Sequence, residues 1–481
     1  MPKITHSDRR ESDVEETVPR SEENIDLLRI TLVIVLTTSF LTAFTAGSIN
    51  LAIPSMGLEF RASQFWLNWV VTSYLLTIAA FLLPFGQLAD LIGRKKVFSA
   101  GMSLFTVTSL LCTFAHSIEL LVIFRVLQGI ASSMIFGTSN AILISVAPPQ
   151  SRGKVLGLSA AAVYFGLSSG PVFGGVICQL FNWRGIFYIC VLLSIPVLTL
   201  TLWKLKGEWK GHKERFDILG SVLCILGQIL LLIGLGDLAK GSLYIGIFIT
   251  GIAILIVFIV YELNISNPLL PLRIAINNRV FVFSNVAALI SYTTTFGLTY
   301  LISLYLQKVL LLSTATAGLV LLAQPLVMAI LSPFTGSLSD RIEPRLIGTI
   351  GIGISAVGLF ICIFFSKGTP IVLVILNLLF IGIGLALFLS PNTNAIMGAV
   401  YRQFYGAASS TVANARLLGQ ALSMSIIALV TAHFMRNMTI TSPDYAVKFM
   451  ASFKISMIIF TILCIFGVLA SLVRGKAVRA K

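Results

Sequence analysis

Two arginines stand inside long apolar runs, where a charge is costly: Arg125, in RVLQG, and Arg416, in RLLGQAL. An unpaired guanidinium deep in a bilayer costs roughly 3 kcal/mol on insertion scales, so each requires a wet cavity or a partner. Gln128 lies three residues after Arg125 on the same helical face and can share its hydrogen bonds. Both deep charges are positive. The chemistry they offer is recognition of anionic, zwitterionic or neutral amphipathic molecules in preference to lipophilic cations. A second reading of Arg416 places it near the end of its span, with the guanidinium snorkelling to the interface.

Two charged strings lie between apolar runs and repeat each other 250 residues apart: GQLADLIGRKK from Gly86 to Lys96, and GSLSDR from Gly336 to Arg341. Each opens on a glycine that lets another backbone approach, carries an aspartate four residues on (Asp90, Asp340), and ends on basic residues where a helix leaves lipid. Asp90 can pair with Arg94, just past Gly93, or face the positive N-terminal end of a helix in the other half. Either contact would hold one conformation closed. Lys95 and Lys96 need no such role.

The elements that position these residues follow from composition. With 57% hydrophobic and 11% charged residues in 481, the chain cannot present a polar surface to water on every side. It reads as an all-α polytopic membrane protein. Apolar runs near 30–52, 66–86, 97–116, 119–142, 153–178, 185–203 and 216–236 are followed by seven near 243–262, 280–306, 315–338, 345–365, 370–396, 408–433 and 452–473. The two hinges follow spans 2 and 10. Spans 1 to 6 therefore pair with spans 9 to 14 as two six-helix bundles, and spans 7 and 8 are an inserted pair. The expected divisions are 1–28 (disordered tail), 29–204, 205–279 (inserted pair with linkers), 280–473 and 474–481 (basic tail).

Fourteen spans put both termini on one side. With the N-terminus inside, 24 of the 34 basic residues fall on cytoplasmic segments and eight on the opposite ones, which fixes the orientation and explains the +15 net charge without nucleic acid. The six cysteines all lie in apolar runs without CxxC spacing, and His6, His116, His212 and His433 are scattered, so no disulfide, metal or cofactor is expected. GxxxxGK[ST], HExxH and GxSxG strings are absent, so neither an ATP-driven pump nor a hydrolase is indicated.

These motifs identify the chain as a member of the major facilitator superfamily, resembling its fourteen-span drug:proton antiporters. The resemblance rests on the first hinge, RVLQG (Arg125–Gly129) and GLSSGPVFGG (Gly166–Gly175), with NWRGIF (Asn182–Phe187), NPLLPLR (Asn267–Arg273), YLQKV (Tyr305–Val309) and RLLGQAL (Arg416–Leu422). It implies the major facilitator fold, a monomer in the cell membrane, a small-molecule substrate and protons as the coupling ion. It also implies a latch at Gly86, Asp90, Gly93 and Arg94, and a proton-coupling or substrate role for Arg125.

In span 5, Gly166, Gly170 and Gly174 form a stripe, with Gly175 beside it and Pro171 permitting a kink. The stripe allows movement against the facing span of the other half, or close packing without movement. Span 1 carries Thr38, Thr42 and Thr45 on one face, then Asn50. The family's antiporters usually have an aspartate at the position of Thr45, taken as a site for protons and cationic drugs. No other carboxylate replaces it within a span: Glu119, Asp217, Asp237 and Glu262 lie near predicted ends. Tyr74, Tyr164, Tyr292, Tyr300 and Asn394 are the expected cavity liners, together with Thr42, Thr45 and Asn50. Asn437 begins an N-x-T sequon. The leading expectation is an exporter of small amphipathic compounds working by alternating access. The competitors are an uncoupled carrier of a small organic anion and a non-transporting receptor or scaffold.

Overall fold

A computed structural model describes residues 22–62, 64–210, 215–236, 238, 241–265, 268–269, 278–401, 404–434 and 445–475. Fourteen helical passes result, one for each apolar run. The N-terminal six are α1 (Glu22–Phe60), α2 (Gln64–Ile92), α3 (Arg94–Thr113), α4 (Ile118–Val146), α5 (Arg152–Phe181) and α6 (Arg184–Trp203). The inserted pair is α7 (Ile218–Gly236) and α8 (Ser242–Asn264). The C-terminal six are α9 (Arg279–Lys308), the broken pass α10 (Thr314–Leu321) with α11 (Ala323–Arg341), α12 (Pro344–Cys362), α13 (Ile371–Gly398), α14 (Tyr405–Phe434) and α15 (Tyr445–Val473).

Among the described residues 13 segments are long and apolar enough to cross a membrane. The 30-residue α5, packed along α1 and α11, makes the fourteenth pass. The break between α10 and α11 has a local cause. Pro325 has no N–H, and its ring crowds the carbonyl four residues earlier, at Leu321, where α10 ends. Other ends are set by capping side chains: Ser117 accepts from the Leu120 N–H at 3.2 Å, and Asn278 from the Phe281 N–H at 3.1 Å.

Helices α1 to α6 pack on one another, as do α9 to α15, giving two lobes with separate apolar cores. The lobes meet along two seams, α2 and α4 against α14, and α5 against α11. A mixed cluster including Ala141, Ile144, Leu156, Met397, Tyr405 and Ala408 fills the space between them near the hinges. Helix α7 packs against both α2 and α14; Leu232 joins Tyr74 and Leu417 over that seam, and the Ser425 hydroxyl bonds the Leu235 carbonyl.

Two expected boundaries move. Helix α1 begins at Glu22, inside the segment expected to be a tail. Arg474, assigned to the basic tail, is buried in the C-terminal lobe, where it donates to Asn392 Oδ1 at 2.7 Å and the Pro344 carbonyl at 2.7 Å. The guanidinium at the end of α15 thus ties three helices together. The rest of the basic tail and Asn437 lie outside the described residues.

Candidate functional site

The two hinges lie on one membrane face, and there the lobes are shut. Asp340, at the end of α11, accepts hydrogen bonds from the Gly153 N–H at 2.8 Å and the Lys154 N–H at 3.1 Å. Those are the first free amides of α5, in the opposite lobe, so the carboxylate sits on the positive end of that helix. The approach is backbone to backbone: a Cβ on Gly153 or on Gly336 would overlap the other residue's carbonyl oxygen. Asn394, expected at the cavity wall, lies beside the hinge. Its amide donates to Ser339 at 2.9 Å and reaches Asp340 at 3.4 Å, steadying the latch. Arg341 is exposed and stands apart from this contact.

At the first hinge an aspartate again meets the start of a helix in the other lobe, with a different set of bonds. Asp90 is fully buried and accepts from Arg94 Nε at 2.9 Å. Its carboxylate also abuts Gly406 in the first turn of α14, where a Cβ would collide with it. Gly86 faces Gly406 and Ser410 as closely. The Tyr405 ring receives Arg94 and Arg152, their guanidinium carbons 5.7 and 5.9 Å from its centroid. Gly93 holds φ at 123°, which only glycine adopts freely, and Glu208 closes over it while accepting from the Lys95 N–H at 2.9 Å.

Arg125 faces no cavity. It is fully buried inside the N-terminal lobe, donating to the Val70 carbonyl at 3.0 Å and to Gln128 Oε1 at 2.6 Å, with its guanidinium carbon 4.0 Å from the Tyr74 ring centroid. Gln128 passes the chain on to Ser109 at 2.7 Å. Thr45 also turns into the lobe core, donating to the Leu41 carbonyl at 2.7 Å and lying 3.0 Å from Cys190 of α6. Thr42 bonds the Thr38 carbonyl of its own helix at 2.9 Å. Thr38, Thr42 and Thr45 are all buried, each hydroxyl bonded to a carbonyl of its own helix. The Asn50 side chain lies outside the described residues.

The glycine stripe of α5 packs on α1 of its own lobe, not on the opposite half. Gly166 meets Phe40 and Ala43, while Gly170 and Gly174 meet Gly47 and Ser48, and the Ser48 hydroxyl donates to the Gly170 carbonyl at 3.0 Å. Gly175 is half-buried, and α5 runs unbroken through position 171. The glycines of α5 that do face the other lobe are Gly153 and Gly157.

Arg416 is the charge that lies between the lobes. It is half-buried, its guanidinium carbon stands 4.8 Å from the Phe136 ring centroid of α4, and Tyr74, Tyr164 and Tyr292 lie within reach of its charge. Tyr300 is 40% exposed and stands outside this group. Eleven residues separate Arg416 from the start of α14. At 1.5 Å per residue that is about 16 Å, near the middle of the hydrocarbon, so snorkelling is not its situation.

Two carboxylates placed near span ends prove to be buried, Asp217 and Glu262. Asp217 caps α7, accepting from the Gly220 N–H at 2.8 Å, and takes a further bond from the Tyr261 hydroxyl at 3.1 Å. Glu262 accepts from the Leu269 N–H at 3.1 Å, and Gln87 of the first hinge accepts from the Asp217 N–H at 3.2 Å. An aspartate directly before an apolar run is a helix-start signal and could have been read as this cap.

Two lobes of six helices closing on one face, with an internal repeat of the hinge, is a transporter architecture, and the sequence comparison decides the family. A profile described as Major Facilitator Superfamily matches residues 35–424 and 284–480. The chain belongs to the Major Facilitator Superfamily. It is a multi-pass membrane transport protein. It is 30% identical over 394 residues to the riboflavin transporter RibZ of Clostridioides difficile, covering 82% of this chain and 86% of that one. It is also 30% identical over 399 residues to the multidrug resistance protein Stp of Mycobacterium tuberculosis, covering 82% and 74%. Among solved structures, the human organic anion transporter MFSD10 superposes with a TM-score of 0.62 at 14% identity, over 93% of this chain and 99% of that one. The proton:xylose symporter XylE also gives 0.62, at 16% identity over 93% and 95%, so the fold is shared.

Proposed function

We propose that the chain is a secondary exporter of small amphipathic organic compounds, a multidrug-type carrier working by alternating access with its hinge face and both termini in the cytoplasm of a cell membrane. The observation that carries this reading is the paired closure at the hinge face, Asp340 on the first turn of α5 and Asp90 against the first turn of α14. Contacts of this size, two or three hydrogen bonds and a helix-end charge, are worth a few kcal/mol and so can be broken and remade each cycle. Similarity to multidrug resistance protein Stp supports the substrate class, and the basic surplus on the hinge side supports the orientation. The protein works as a monomer, exchanging substrate for protons.

A second reading, uncoupled or differently coupled transport of an organic anion, is favoured by one specific observation. The position at which related antiporters place a titrating carboxylate is Thr45, sealed against Cys190. Proteoliposome efflux of cationic, neutral and anionic compounds, with and without an imposed pH gradient, separates the two. Gradient-driven movement supports antiport; movement indifferent to the gradient supports the second reading; no movement of any compound removes both.

A further inference from the structure

Arg416 differs from the other deep arginine in being only half-buried. Arg125 is enclosed and hydrogen-bonded to a carbonyl and an amide. Arg416 has no hydrogen-bond or ion-pair partner among the described residues and retains accessible surface at the middle of the membrane. A cation held there without an anion is costly, and proteins keep such charges where a ligand completes them. The neighbours come from both lobes: the Phe136 ring of α4 stands 4.8 Å from the guanidinium carbon, and Tyr292 of α9 lies against Gly419, one turn along α14 from Arg416, while Tyr164 of α5 is close enough for its hydroxyl to sense the Arg416 charge. Aromatic rings beside one planar fork of donors make two demands on a ligand. It must present a flat apolar body to the rings, and an anionic group with two adjacent oxygens to the fork.

We infer that Arg416 and its surrounding rings form a binding site for planar aromatic anions, the anionic group paired with the guanidinium and the ring system lying among Phe136, Tyr164 and Tyr292. This rests on the transporter reading above and names the substrate class of its central site. Because the ligating residues belong to both lobes, an occupant held there stays bound to α14 while the seams on either side open and close.

The test uses three probes of one ring system and different charge: naphthalenesulfonate, naphthol and naphthyltrimethylammonium, titrated calorimetrically into the full chain in nanodiscs. The sulfonate is expected to bind at least about tenfold more tightly than the ammonium. Arg416→Gln should erase that preference while leaving naphthol unchanged, and Arg416→Lys should keep part of it. Equal or tighter binding of the ammonium by the native protein overturns the inference, whatever the variants do. So does an Arg416→Gln protein that is monodisperse and binds the sulfonate as before. Binding is read at equilibrium, so anion-selective binding without flux of any compound in vesicles would remove the transporter reading and leave the site. Flux without anion preference would do the reverse.

Discussion

The carboxylate of Asp340 accepts hydrogen bonds from the backbone N–H of Gly153 at 2.8 Å, joining the last turn of one lobe's hinge helix to the first turn of a helix in the other. Because the donor is a backbone N–H, only proline at Gly153 would remove it; any other side chain acts through packing. The Asp90 carboxylate lies against Gly406 in the first turn of α14, which occupies in its lobe the place of α5, while accepting from Arg94 of its own hinge. An aspartate set against the start of a helix in the other lobe thus occurs twice, related by the repeat of 250 residues.

Alanine at Gly153 or Gly336 should therefore open the hinge face without touching a charge. The added methyl would overlap the facing carbonyl oxygen, and overpacking of this kind costs about 1–3 kcal/mol. Maleimide labelling of a cysteine placed at Ser339, buried in the closed seam, should rise several-fold in either variant.

The face opposite the hinges carries a clamp within the N-terminal lobe. Glu59 at the end of α1 accepts from Arg184 at 2.6 Å and from the Trp183 indole at 2.7 Å, while Arg184 also donates to the Thr113 and Ala115 carbonyls at 3.1 and 3.0 Å. Burial pushes the Glu59 carboxyl up, but the Trp183 and Arg184 bonds outweigh it and hold the group below its usual 4.5. A depressed carboxylate stabilises the fold above its ordinary pKa and loses that contribution as pH falls through the lower folded value. Glu59→Gln should lower the melting temperature near neutral pH, and its gap from the native protein should shrink below about pH 4.

Arg125 supports the lobe core. Arg125→Leu would leave the Gln128 amide oxygen without its donor, at about 1–3 kcal/mol for a buried unpaired group, and would strip the Val70 carbonyl of all but its helix bond. Arg125→Lys keeps the charge but loses the fork stacked on Tyr74. Both should melt lower than the native protein in detergent, the leucine variant more so. Neither should alter the ratio of naphthalenesulfonate to naphthol binding.

The fourteen passes were legible because each is a long apolar run, and the hinges as a related pair because the string occurs twice. What the sequence could not show was direction. Thr45 and Arg125 have the composition of cavity residues but face inward, since Leu41, Cys190, Val70 and Gln128 satisfy them within one lobe. Gly166, Gly170 and Gly174 mark a close helix contact correctly, yet a glycine stripe does not say which helix it faces, and here it is α1. Asn394 supports Asp340 from a neighbouring helix, a pairing across 54 residues that only the packing of α13 on α11 brings about.

If the hinge aspartates hold the two lobes closed on one face and release them in transport, as proposed, neutralising them must change how far apart the lobes stand there. Spin labels on cysteines replacing exposed Lys96 and Arg341, in a background lacking the six native cysteines, report the separation across that face. The native protein should show a dominant short distance and a minor long one. Asp90→Asn with Asp340→Asn should shift the population toward the long distance by roughly tenfold, for about 1.4 kcal/mol lost. A distance distribution unchanged by both substitutions would contradict the account.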